Sequence, residues 1–112
     1  MELHKLFESQ YTKLEESIDA VAERIGKLGH KAIGTLQEFA KNATLKESPG
    51  KNPEQKEMLK ELLSDHETVI KELRNNVDDC AEKHKDAGTT DFLTGLMQEH
   101  ETVAWTLRRY LD

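Results

Sequence analysis

The sequence predicts an all-α protein built from three long helices and one short one. Three observations predict it. Apolar residues recur at steps of three and four through most of the chain, which is the period of one helical face and not of a strand. Helix start and stop signals punctuate those runs. Two prolines, six glycines and a 5% aromatic content are too sparse for a chain of many short strands and turns.

The first helix is expected from Leu3 to Leu28, with Leu3, Leu6, Phe7, Tyr11, Leu14, Ile18, Val21, Ala22, Ile25 and Leu28 on its apolar side. Gly29 follows as a C-cap, where a residue without Cβ can take a left-handed conformation. Thr35-Leu36-Gln37-Glu38 fits a capping box, so a short helix of about two turns is expected to Asn42. Leu45 to Lys51 reads as a loop, with Ser48-Pro49-Gly50 its strongest breaker. Asn52 as N-cap and Pro53 at the first helical position open a third helix, which runs to a point before Gly88. Its stripe is Met58, Leu62, Leu63, His66, Val69, Ile70, Leu73, Val77, Cys80 and Ala81. The last helix is expected to begin after Thr89 or Thr90 and to bury Phe92, Leu93, Leu96, Met97, His100, Val103, Ala104, Leu107, Tyr110 and Leu111. Trp105 is expected to pack as well.

Composition narrows the function classes. With 112 residues there is room for one domain. Charged residues make up 34% and apolar ones 36%, which suits amphipathic helices burying one stripe each. A net charge of −6 argues against nucleic acid and anionic membranes, and neither printed terminus carries a basic arm that would override it. No apolar run reaches the ~20 residues of a membrane span, and no signal peptide is seen. The single Cys80 cannot form an internal disulfide and reads as a small apolar residue in register with Leu73 and Val77, which fits a reducing, cytoplasmic compartment. Phosphate-binding loops, dinucleotide turns and paired CxxC motifs are not found.

Three side chains of the first helix are candidate metal ligands: His4, Asp19 and Glu23. At ~100° per residue, Asp19 lies roughly 60° and Glu23 roughly 100° round from His4, all within one face. Asp19 and Glu23, at i and i+4, can share an ion. His4 stands roughly 22 Å away along the axis and cannot join them within one chain. Two copies packed antiparallel and crossing near residues 11 to 13 would bring His4 of one to Asp19 and Glu23 of the other, twice per dimer. Imidazole with carboxylates suits iron and other divalent first-row metals. Acidic residues on a helix face are commonly just solvated, and spacing alone leaves that reading open. His66 and His100 fall on apolar stripes and are read as hydrogen-bonded core or interface histidines; His30 and His84 are read as exposed. Asp86 and Asp91 flank the turn before the last helix, where a solvated turn and a dipole-favoured first-turn acid account for them.

The run Leu3-His4-Lys5-Leu6-Phe7-Glu8-Ser9-Gln10-Tyr11, continued by Ile18-Asp19-Ala20-Val21-Ala22-Glu23-Arg24-Ile25 and Leu28-Gly29, resembles the second helix of the Dps mini-ferritins. Gly34-Thr35-Leu36-Gln37-Glu38-Phe39 is similar to that family's short crossover helix, and His100-Glu101-Thr102-Val103-Ala104-Trp105-Thr106-Leu107-Arg108 to its closing helix. The resemblance implies a ferritin-like helical bundle, a hollow homo-oligomer (a dodecamer built on two-fold dimers), and ferroxidase activity on Fe(II) at inter-subunit sites. Hydrogen peroxide would be the oxidant, ferric mineral the stored product and oxidative-stress protection the outcome. His4, Asp19 and Glu23 match three site ligands of the family, and Asp86 and Asp91 fall where it lines an iron-entry pore. The family has a preceding long helix that ends in another His ligand, and this sequence begins after it. Residues 1–112 are therefore expected to form a single truncated domain with the first bundle helix, one ligand and the DNA-binding arm absent, the surface so exposed being covered by another subunit or by an altered helix arrangement. The alternative expectation is a self-associating helical module without catalysis.

Overall fold

The computed structural model describes residues 3–47 and 54–112, and among these the regular elements are helices: α1 (Leu3–Lys27), α2 (Leu36–Asn42), α3 (Gln55–Glu82) and α4 (Ala87–Leu111). They fall into two compact units, Met1–Lys46 and Glu47–Asp112.

In the first unit, α1 is one uninterrupted helix of 25 residues. It ends as the sequence predicts. Gly29 takes φ +87°, and the His30 amide donates to the Ile25 carbonyl at 3.1 Å while the Gly29 amide donates to Gly26 at 3.0 Å. These two reversed bonds satisfy carbonyls that the last turn would otherwise leave open, and the left-handed residue between them is cheap only as glycine. The capping box on α2 is also present. The Glu38 amide donates to Thr35 Oγ1 at 3.1 Å, and Glu38 Oε1 accepts from the Thr35 amide at 3.1 Å. A further bond from the Gly34 amide is the largest of the effects that hold the Glu38 carboxyl below its usual range.

The second unit is the α3–α4 hairpin. Glu54 is extended and α3 begins at Gln55; the expected breaker Ser48-Pro49-Gly50 and the expected cap at Asn52 and Pro53 lie outside the described residues. The helix ends at Glu82, and a tight reversal follows in which Lys85 takes φ +53° and the Asp86 amide reaches back to the Cys80 carbonyl at 2.9 Å. The start of α4 differs from expectation. It begins at Ala87, before Thr89 and Thr90, because Asp86 is the N-cap: its carboxylate accepts from the Thr89 amide at 3.0 Å and the Thr89 hydroxyl at 2.5 Å. Gly88 therefore sits inside the first turn and terminates nothing.

The seam between α3 and α4 buries Leu59, His66, Ile70 and Leu73 from one helix and Ala104 and Leu107 from the other. Leu59, His66 and Leu73 follow one another at intervals of seven, the seam repeat of paired helices. Leu59 was not expected there. Its neighbour Met58, which was, is only half-buried, since it stands ~100° off that line. The same offset corrects Trp105: next to fully buried Ala104, it is 55% exposed, with the Arg109 guanidinium 4.9 Å from its ring centroid. Two ion pairs flank the seam, Arg108–Glu67 at 3.2 Å and Arg74–Glu101 at 3.4 Å. With both partners about half exposed, each adds little stability and mainly fixes register.

Candidate metal centre

α1 supplies the candidate ligands because it is long and unbroken. A break would turn the later carboxylates away from the His4 face. The helix instead keeps ~100° per residue throughout, so Ile18, Tyr11, His4, Glu15, Glu8, Asp19 and Glu23 follow one another round an arc of roughly 140°. All seven are exposed. Tyr11 at 65% and Ile18 at 62% are large apolar side chains left in solvent between the imidazole and the carboxylates. They were expected on the apolar stripe, and they form its outer edge: the covered side of α1 carries Leu3, Leu6, Phe7, Gln10, Val21 and Ile25.

Within one chain the centre is not assembled. Among the described residues no three His, Cys, Asp or Glu side chains converge closely enough to hold a metal ion. His4 and Asp19 stand roughly 22 Å apart along α1 at ~1.5 Å per residue. What His4 does meet is Glu8, one turn on, with Nε2 4.0 Å from Oε2. Sequence reasoning passed over Glu8, although i,i+4 spacing on the same face was the signal that would have found it. A carboxylate there places an oxygen donor beside the imidazole.

The other titratable candidates divide cleanly. His30 and His84 are exposed, as predicted. His66 and His100 meet across the seam, Nδ1 to Nδ1 at 2.9 Å, which makes them the hydrogen-bonded core histidines the sequence suggested. Burial, then the neighbouring His100, pushes the His66 imidazole down to about 4. Asp86 spends its carboxylate on the α4 cap, whereas Asp91 is exposed and lines a depression of ≈ 500 Å³ with Ala81, Lys85, Ala87, Thr90 and Thr94.

Residues 1–112 match the ferritin-like domain family. DNA protection during starvation protein 2 of Bacillus anthracis is 33% identical over 111 residues, spanning 98% of this chain and 74% of that protein. The X-ray structure of Dps from Thermosynechococcus elongatus superposes with a TM-score of 0.91 at 32% identity, covering 98% of this chain and 69% of that one. The chain belongs to the Dps family. A Dps protein from Bacillus brevis superposes equally well, with a TM-score of 0.91 at 30% identity. An uncharacterized low temperature-induced protein of Nostoc sp. is 48% identical over 110 residues, which is 98% of this Dps-family chain and 62% of the relative. The chain thus spans less than two thirds of that relative's length. No described helix is long and apolar enough to cross a membrane.

Proposed function

We propose that this chain acts in an iron-oxidising, iron-storing mini-ferritin, in which Fe(II) is the substrate and the reacting site lies between two copies. His4 of one copy and Asp19 and Glu23 of its two-fold mate hold the iron, with Glu8 beside His4. One observation carries the reading: an unbroken α1 presents an imidazole near one end and two carboxylates near the other, on the same exposed face, with Tyr11 and Ile18 between them. Antiparallel pairing of that face covers the apolar side chains and completes two sites at once. Nitrogen and carboxylate donors suit Fe(II) and become better matched as it turns to the harder Fe(III). Peroxide would take one electron from each of two Fe(II) ions and, with two protons, leave as two waters, so no hydroxyl radical escapes. Some relatives are named for DNA protection during starvation; here, protection would come through removing iron and peroxide. A higher oligomer, iron entry past Asp91 and Asp86, and a cytoplasmic setting belong to the same proposal.

A second reading has its own support. Among the described residues, Tyr11, Leu14, Ile18, Leu28, Ile33, Leu36, Phe39 and Leu45 are exposed, and beyond them the large exposed apolar side chains reduce to Trp105. Such concentration in residues 11–45 would serve a self-associating module with no redox chemistry. Anaerobic Fe(II) loading followed by peroxide separates the two. The proposal expects ferric absorbance to rise, and Asp19→Ala to slow it at least tenfold with the helical circular dichroism unchanged. Association without any ferric signal would leave the module reading in its place.

A further inference from the structure

We propose that the His66–His100 pair is an acid-sensitive latch on the α3–α4 hairpin, closing it while the two rings share a single proton between their facing nitrogens and releasing it when a second proton arrives there. The geometry requires one donor and one acceptor. At 2.9 Å, Nδ1 to Nδ1, one ring must present N–H and the other a bare lone pair. The rings are tilted by 44° with centroids 5.1 Å apart, so stacking does not hold them and the nitrogen–nitrogen bond does. A second proton on the facing nitrogens would set two N–H groups against each other with no acceptor between them and leave the newly protonated ring positively charged.

The surroundings make that second proton expensive. His66 is 6% exposed, on the seam line with Leu59, Ile70 and Leu73, and α4 buries Ala104 and Leu107 on the same seam as His100. The charged groups nearby are largely committed or weakened as counter-charges. Glu67 pairs with Arg108 and Glu101 with Arg74. Asp65, next to His66, has its own pKa raised by burial and by Glu61. Glu99 pulls His100 upward, yet burial outweighs it and His100 stays below its ordinary value.

The sign follows from linkage. The folded chain holds His66 at about 4, against 6.5 for an open imidazole. Its contribution is therefore whole above about 6.5 and is lost as pH falls towards about 4. From His66 alone, the equilibrium constant for opening the hairpin would rise roughly 20-fold between neutral pH and pH 5. The inference does not depend on iron chemistry, since it concerns the second unit by itself.

The full chain, labelled with ¹³C and ¹⁵N in its histidines, would be titrated by NMR from pH 8 to pH 4, and amide exchange followed in α3 and α4. The His66 and His100 imidazoles should titrate below 6.5, His66 down to about 4, in opposite tautomers. Amide opening in the hairpin, corrected for intrinsic rates, should rise about 20-fold between pH 7 and pH 5. His66→Asn with His100→Asn keeps polar groups in place without a titrating ring and should flatten that rise. The latch is overturned if all five imidazoles titrate near 6.5, or if the double variant opens with the same pH dependence as the unmodified chain. Should the variant fail to fold, the titration of the unmodified chain decides alone.

Discussion

Leu107 has no solvent exposure at all, and neither does Ala104 one turn before it. Both lie on the α3–α4 seam, where α3 buries Leu59, Ile70 and Leu73. Leu107→Ala removes three carbons from the most enclosed point of the seam. Ala104 is too short to reach into the space, and the helices on either side are held in register by ion pairs and by the histidine bond, so collapse would be partial. The expected loss is about 4 kcal/mol, in the upper part of the range for buried leucines because the cavity adds to the lost transfer energy. For a chain of this size that corresponds to a fall in Tm of roughly 15–20 °C. Leu107→Met, which conserves volume, should cost under about 1.5 kcal/mol. The assay is urea unfolding followed by far-UV circular dichroism at one fixed subunit concentration, since association would otherwise shift the midpoint. A loss below about 1 kcal/mol, as for a surface leucine, would refute the packing described for the seam.

Ile18→Asp, at a position 62% exposed, should leave the helix intact but weaken self-association at least tenfold in sedimentation equilibrium; unchanged association would remove α1 from the interface. Asp86→Ala should cost about 1 kcal/mol by stripping the cap from α4, while Asp86→Asn, which still accepts from the Thr89 amide, should cost a few tenths. Thermal melts check both. The Asn variant also separates two roles: equal stability with slower iron uptake would support Asp86 at a pore, and equal stability with unchanged uptake would confine it to the cap.

What the sequence disclosed tracks how local the cause is. The stop at Gly29 and the capping box at Thr35 and Glu38 were readable because each is settled within six residues, by a left-handed backbone that suits glycine and by a hydroxyl and carboxylate spaced three apart. The start of α4 was misread because Asp86 and Thr89 are both good cap residues; their order was settled by the reversal at Lys85, which aims the Asp86 carboxylate at the Thr89 amide. Leu59 and Trp105 were misplaced for a different reason. One residue shifts a helical position by ~100°, and which of two adjacent residues faces a seam depends on the partner helix. The same dependence hid the pairing of His66 with His100: the sequence marked both as hydrogen-bonded core or interface histidines but not as each other's partner. At the candidate centre, the angular set of His4, Asp19 and Glu23 was readable because α1 runs unbroken. Glu8 was missed although its spacing gave it away, and the partner proposed to complete the centre is another copy of the chain, which no single sequence displays.

Subunit complementation tests the central claim most directly. His4→Ala chains and Asp19→Ala chains would each be inactive alone, since every site would lack a ligand. Mixed by co-refolding, a hetero-pair carries one site with both ligands lost and one site with both intact. Random pairing makes half the pairs mixed, so about a quarter of the wild-type complement of whole sites should return, read as peroxide-driven Fe(III) absorbance per subunit. Restoration to that level is the predicted result. A mixture as inactive as its two components would contradict a centre shared between antiparallel α1 helices.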